Sequence, residues 1–249
     1  PEITPELYQC LESTCENLYL DIKKVNAYVT SSPEIQAGCM SFSKDSCIIT
    51  LTSAVINLLD FDEIKFIMGH ELGHFLLSHN IEEQHINESQ EGYIKKRAQE
   101  ISVDRVGLLA CKDINVATKA ITKSLSGLSE NYISFNMQGF LKQLDSDAAK
   151  NEESGQFSSH PSFILRVKAL LRFSLSDPYL QHATGTNGAN LQEIDKLIQN
   201  DLNVYIDKDL RRDIDYSKKM FSFWGYAFAY VKGGSLSKDN QTILANKFG

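Results

Sequence analysis

The 249-residue sequence has no surplus of positive charge: 25 lysines and arginines face 32 aspartates and glutamates, a net charge of −7. Affinity for nucleic acid rests largely on neutralising phosphates with basic side chains, so nucleic acid is not an expected partner. Cysteines are few and odd in number, five in all at positions 10, 15, 39, 47 and 111. None forms a CxxC pair, which fits neither a disulfide framework nor a sulfur-rich metal knuckle, and they read as reduced thiols. No apolar run reaches the roughly 20 residues that a helix needs to cross a bilayer. The nearest approaches, 61–77 and 220–231, are interrupted by charge or too short, so no membrane-spanning segment is expected. With only 14 glycines and 5 prolines, collagenous and low-complexity classes are also excluded. The chain opens at Pro1 without an initiator methionine or a signal-peptide pattern, and reads as an excised domain with the cytoplasm as its expected compartment.

What is present is the patterning of a globular α+β chain, mostly helical. Leu7, Leu11, Cys15 and Leu18 recur at helical spacing, and Val25–Thr30 reads as a strand closed by Ser31-Ser32-Pro33. Residues 36–43 and 46–52 are β-rich runs about a turn at Lys44-Asp45, giving one small sheet of about three strands. Asp60 followed by Glu63 is a capping-box pattern opening an amphipathic helix from Phe61 to about His79. Apolar periodicity is lost over 80–92 and returns from Tyr93 to about Cys111, so a polar connector joins two helices. Further helical patterns occupy about 115–125, 131–149, 161–174, 191–206, 214–231 and 237–247. The Gly-Thr-Asn stretch at 183–190 is the best boundary, dividing a body at 1–180 from a C-terminal helical appendage at 185–249. The aromatic stretch between Phe221 and Tyr230 is expected to be the buried face of a helix.

His70-Glu71-Leu72-Gly73-His74 is an HExxH sequence on the best-defined helix. Spacing of i, i+4 puts two imidazoles one turn apart on one face, able to reach a single metal ion, with Glu71 about 100° around the axis and near a water on that ion. The pattern arises by chance in about one sequence of this composition in a hundred. A catalytic zinc takes three protein ligands and keeps one position open, so a third donor is required. Glu100 leads, because an antiparallel return of the following helix would bring it to the metal. Asp104, one turn further on the same face, would then accept the second ring N–H of a ligand histidine. His160, in Ser159-His160-Pro161 just before a helix, is either an ordinary cap or a hydrogen-bond donor to a developing oxyanion.

HELGH at 70–74, RAQEISVDR at 97–105 and SHPSFILR at 159–166 together resemble, in order, the gluzincin metallopeptidases of the HtpX and CAAX-prenyl-endoprotease type. The segment PEIQAGCMSF is similar to the one leading into that family's substrate-binding strand, with Gln36-Ala37-Gly38 where Asn-Ala-Phe is usual. The likeness covers roughly residues 4–173. It implies a zincin-like fold, one zinc ion per chain held by His70, His74 and Glu100, Glu71 as general base, and His160 and Arg166 near the substrate or transition state. Gly38, Cys39, Met40, Ser41 and Phe42 would form the strand edge that pairs with a protein or peptide substrate. The expected activity is zinc-dependent endopeptidase. The alternative is a zincin scaffold kept as a non-catalytic or latent interaction module, against which an intact Glu71 argues. His79 and His85 raise a second metal site of di-iron type, but two ExxH sequences 11 residues apart and straddling a helix end do not match such a bundle, and they read as loop histidines.

Overall fold

A computed structural model describes residues 4–41, 43, 45–79, 90–133, 162–205, 208–231 and 237–248. They form two compact units, residues 1–203 and 204–249. The first holds a three-stranded sheet of β1 (Val25–Thr30), β2 (Ala37–Met40) and β3 (Cys47–Thr52) in the order β1-β3-β2. β1 runs parallel to β3 with Val25 opposite Cys47, and β2 runs antiparallel to it with Ala37 opposite Leu51. β2 is therefore an edge strand. Alternation along β3 buries Cys47, Ile49 and Leu51 against α1 (Pro5–Asn17) and α3 (Phe61–Leu76). At the end of β3 the Thr52 hydroxyl donates to the Glu34 carbonyl at 2.7 Å and accepts from Val55 N–H, which starts the short helix α2 (Ser53–Leu58).

The central helix of the unit is α3. Its sheet-facing side joins the first core through Ile64, Met68 and Leu72, while Phe66 enters a second core with α4 (Gln90–Cys111), α5 (Ile114–Ser126), α6 (Phe163–Phe173) and α7 (Asp177–Thr184). The capping box at its start is complete: Glu63 N–H donates to Asp60 at 2.9 Å and Asp60 N–H to Glu63 at 3.0 Å. The same Glu63 carboxylate, fully buried, accepts from Lys123 Nζ of α5 at 2.8 Å, so an ion pair inside the protein joins the helix start to α5.

Three glycines let α3 and α4 lie unusually close. A Cβ on Gly69 would stand 2.4 Å from the Ala110 Cβ, and one on Gly107 would meet the Phe66 carbonyl at 2.8 Å. Gly73, within the HExxH sequence, faces Val103, whose Cβ would lie 3.0 Å from an added methyl. Gly69 faces Gly107 and Ala110 whereas Gly73, one turn on, faces Val103 and Val106, so the two helices run antiparallel.

Helix α8 (Leu191–Tyr205) buries Ile194 and Ile198, and its Asp195 accepts from Arg105 at 2.7 Å. The Gly-Thr-Asn stretch before it is tied down rather than open: Asp177 N–H donates to the Ala189 carbonyl and Ala189 N–H to the Leu175 carbonyl, both at 2.8 Å. The division between units accordingly falls after Asn203. The second unit holds α9 (Lys208–Val231) and α10 (Lys238–Phe248). The expectation of a buried aromatic face is corrected there: Phe221, Trp224 and Phe228 are 83%, 63% and 81% exposed, because a two-helix unit has too little surface to cover three aromatics. No helix among the described residues is long and apolar enough to cross a membrane. Residues 80–89 of the expected connector at 80–92, residues 134–149 of the helix expected over 131–149, Phe42, His85 and His160 lie outside the described residues.

The glycine seam gives a direct test. Gly69→Ala should lower stability by about 1–3 kcal/mol despite the better helix propensity of alanine, because both neighbours are backbone-bound and cannot rotate away. Thermal melting checks this, and an unchanged midpoint would mean that the helices separate without cost.

Candidate metal centre

On α3, His70 and His74 are one turn apart and their rings stand edge to face with centroids 5.4 Å apart. Both Nε2 atoms turn toward α4, where Glu100 waits. His70 Nε2 lies 3.6 Å from Glu100 Oε2, and His74 Nε2 lies 3.6 Å from Glu100 Oε1. These separations are too long for good hydrogen bonds. They suit three ligands around one ion, since metal–ligand bonds of about 2.0–2.1 Å in a tetrahedron set neighbouring donor atoms about 3.3–3.5 Å apart. All three donors fall within 4.8 Å of one another. Two imidazoles and a carboxylate therefore fit a divalent metal in chemistry as well as spacing.

The surroundings hold the histidines ready. His70 Nδ1 meets Asp104 Oδ1 at 2.9 Å, which leaves Nε2 as the ligand atom. Burial alone would push the His70 pKa down, but the hydrogen bond and charge of Asp104 outweigh it and hold the imidazole above its ordinary value, a more basic donor. For His74, burial and the neighbouring His70 push the pKa down to about 4, so this ring is neutral across the physiological range. Asp104 is itself buried, which would raise its pKa. The Arg166 guanidinium more than offsets that, donating from Nε at 2.8 Å and Nη2 at 2.6 Å in a bidentate pair, and keeps Asp104 ionised well below the usual carboxylate range.

A cleft opens beside the cluster, lined by Ile35 and Ala37 at the start of β2, by His70 and Glu71, and by Glu100 and Arg166. Glu71 is half-buried in its wall. Of the strand residues singled out in the sequence, Gly38, Cys39 and Met40 lie on the edge strand β2, and Ser41 is buried just beyond it. The structure thus brings His70, Glu71, His74, Glu100, Asp104 and Arg166 together. Pairing of Arg166 with Asp104 was not foreseen, since a sequence shows no sign of which carboxylate a guanidinium meets. The reading of His79 as a loop histidine is corrected: it is buried, and its Nδ1 lies 3.3 Å from His74 Nδ1. The sign of this in the sequence was its position five residues after His74.

Residues 1–95 match the model of peptidase family M48. The chain is also similar to plastoglobule-localized metallopeptidase 48, chloroplastic, of Arabidopsis thaliana, with 26% identity over 188 residues. That alignment covers 64% of this chain and 55% of the relative, so the chain spans about half the length of the curated relative it matches. No solved structure matches. Both likenesses point to a metallopeptidase. The family match ends before Glu100, so the third donor rests on geometry alone.

Glu100→Ala should strip the centre, dropping bound metal far below one equivalent, because two histidines alone hold a divalent ion weakly. Asp104→Asn should keep some metal but weaken its binding about 10- to 100-fold by loosening His70. Metal analysis after dialysis, with competition against a chelating dye, reads both; full occupancy in Glu100→Ala would assign the third ligand elsewhere.

Proposed function

We propose that the chain is a zinc-dependent endopeptidase, on the observation that His70 Nε2, His74 Nε2 and the Glu100 carboxylate converge beside Glu71 in a cleft that begins at an edge strand. His70, His74 and Glu100 would hold a zinc ion, which would supply Lewis acidity for activating a water molecule near neutral pH. Glu71 accepts the proton of the attacking water and delivers it to the leaving amine, which requires a carboxylate that faces the cleft without joining the ligand set. Asp104 keeps His70 in one orientation and one tautomer, and Arg166 acts through Asp104 by keeping it charged.

The protein or peptide substrate adds a strand to the outer edge of β2. Backbone groups of Gly38 to Met40 would pair with it, as extended peptides pair with exposed sheet edges, and the positions around Ser41 and Phe42 would complete the site. His160 and Arg166 are assigned by resemblance to the neighbourhood of the substrate carbonyl. His160→Phe would test the former as a loss of rate without loss of metal.

Two measurements test the whole reading. Hydrolysis of casein or a quenched peptide should vanish on chelation and return with zinc. Glu71→Gln should retain metal and thermal stability while losing most turnover, since only the proton acceptor is removed. A Glu71→Gln protein active within a few-fold of the parent would remove the general base from the scheme, and a parent inert toward all peptides while zinc-loaded would leave a metal-binding scaffold without catalysis.

A further inference from the structure

We infer that His79 is a positioning residue of the metal centre, holding His74 as Asp104 holds His70; the inference rests on the metal reading above. His79 lies beyond the end of α3, yet it is 7% exposed and its ring stands edge to face against His74, with centroids 5.3 Å apart. The nitrogen that approaches His74 is Nδ1, at 3.3 Å from His74 Nδ1. The other nitrogen of His74, Nε2, faces Glu100.

These contacts permit one arrangement of protons once His74 is a ligand. Nε2 must keep its lone pair for the metal, so the His74 proton resides on Nδ1. That N–H points at His79 Nδ1, which must then be the acceptor. His79 in turn carries its proton on Nε2. An imidazole thus serves here in the role that a carboxylate serves at His70, orienting the ring and selecting the tautomer that can coordinate.

The backbone is bent to deliver it. Leu77 N–H donates to the Gly73 carbonyl at 2.9 Å and Ser78 N–H to the Phe75 carbonyl at 3.0 Å, closing the helix. Ser78 then adopts φ of 60°, a left-handed conformation that residues other than glycine rarely hold, and the next residue returns toward the preceding turn. Without that reversal a side chain five residues after His74 would point about 140° around the axis, away from it.

The test uses two variants and the parent. His79→Leu keeps bulk but removes the acceptor; His79→Asn places an amide oxygen near the position of Nδ1. Zinc affinity, read by competition with a chelating dye, should fall about 10- to 100-fold in His79→Leu and stay within a few-fold of the parent in His79→Asn. The visible spectrum of the cobalt-substituted protein should change in the leucine variant and be restored in the asparagine variant. Thermal melting of the metal-free proteins separates loss of packing from loss of orientation. Equal affinity in parent and leucine variant, or equal loss in both variants, overturns the proposal. Nitrogen NMR of the zinc-loaded parent with labelled histidine is independent of any variant: His79 protonated on Nδ1 also overturns it. A parent that binds no zinc would instead overturn the metal reading itself.

Discussion

The site depends on how closely two helices can approach. His70 and His74 belong to α3 and Glu100 to α4, and a donor cluster within 4.8 Å requires those two helices to pack directly against each other. Gly69, Gly73 and Gly107 remove the three methyl groups that would keep them apart. One of these glycines lies inside the HExxH sequence, so the motif supplies the ligands and also part of the seam that brings the third ligand to them.

A second layer of order comes from buried charge. Arg166 of α6, Asp104 of α4 and His70 of α3 form a continuous line of hydrogen bonds at 2.6–2.9 Å, joining three helices at one point. Burying an ion pair costs desolvation that its own attraction offsets only with good geometry, and the bidentate contact provides it. The arrangement is directional: the guanidinium keeps the carboxylate ionised, the ionised carboxylate raises the basicity of one imidazole, and that imidazole offers its outer nitrogen to the metal. At His74 the corresponding neighbour is the His79 ring rather than a carboxylate, so the two histidines differ as donors. The more basic is His70, backed by charge; His74 stays neutral because burial disfavours its protonation.

Much of this was readable from residue spacing. The helix carrying HExxH, its capping box, the three strands, the antiparallel return that brings Glu100 to the histidines and Asp104 to one of them, and the cleft-side place of Glu71 all follow from local periodicity and the stereochemistry of i, i+4 neighbours. Those features depend on residues near one another in sequence, or on two long helices joined by a connector, for which geometry offers few solutions. The parallel pairing of β1 with β3 was not readable, since strand order depends on the path of the whole chain. Neither was the tying-down of the 183–190 stretch, whose composition is that of a linker but whose backbone bonds to residues 175–177. Nor were the partners of Arg166 and His79. A guanidinium 62 residues from its carboxylate, and an imidazole returned by one left-handed residue, are set by packing and a single backbone dihedral. Sequence determined which groups could hold a metal, because ligand spacing on a helix is a local property; tertiary structure decided how each ligand is oriented, because the second hydrogen bond of every ligand ring comes from wherever the folded chain places an acceptor.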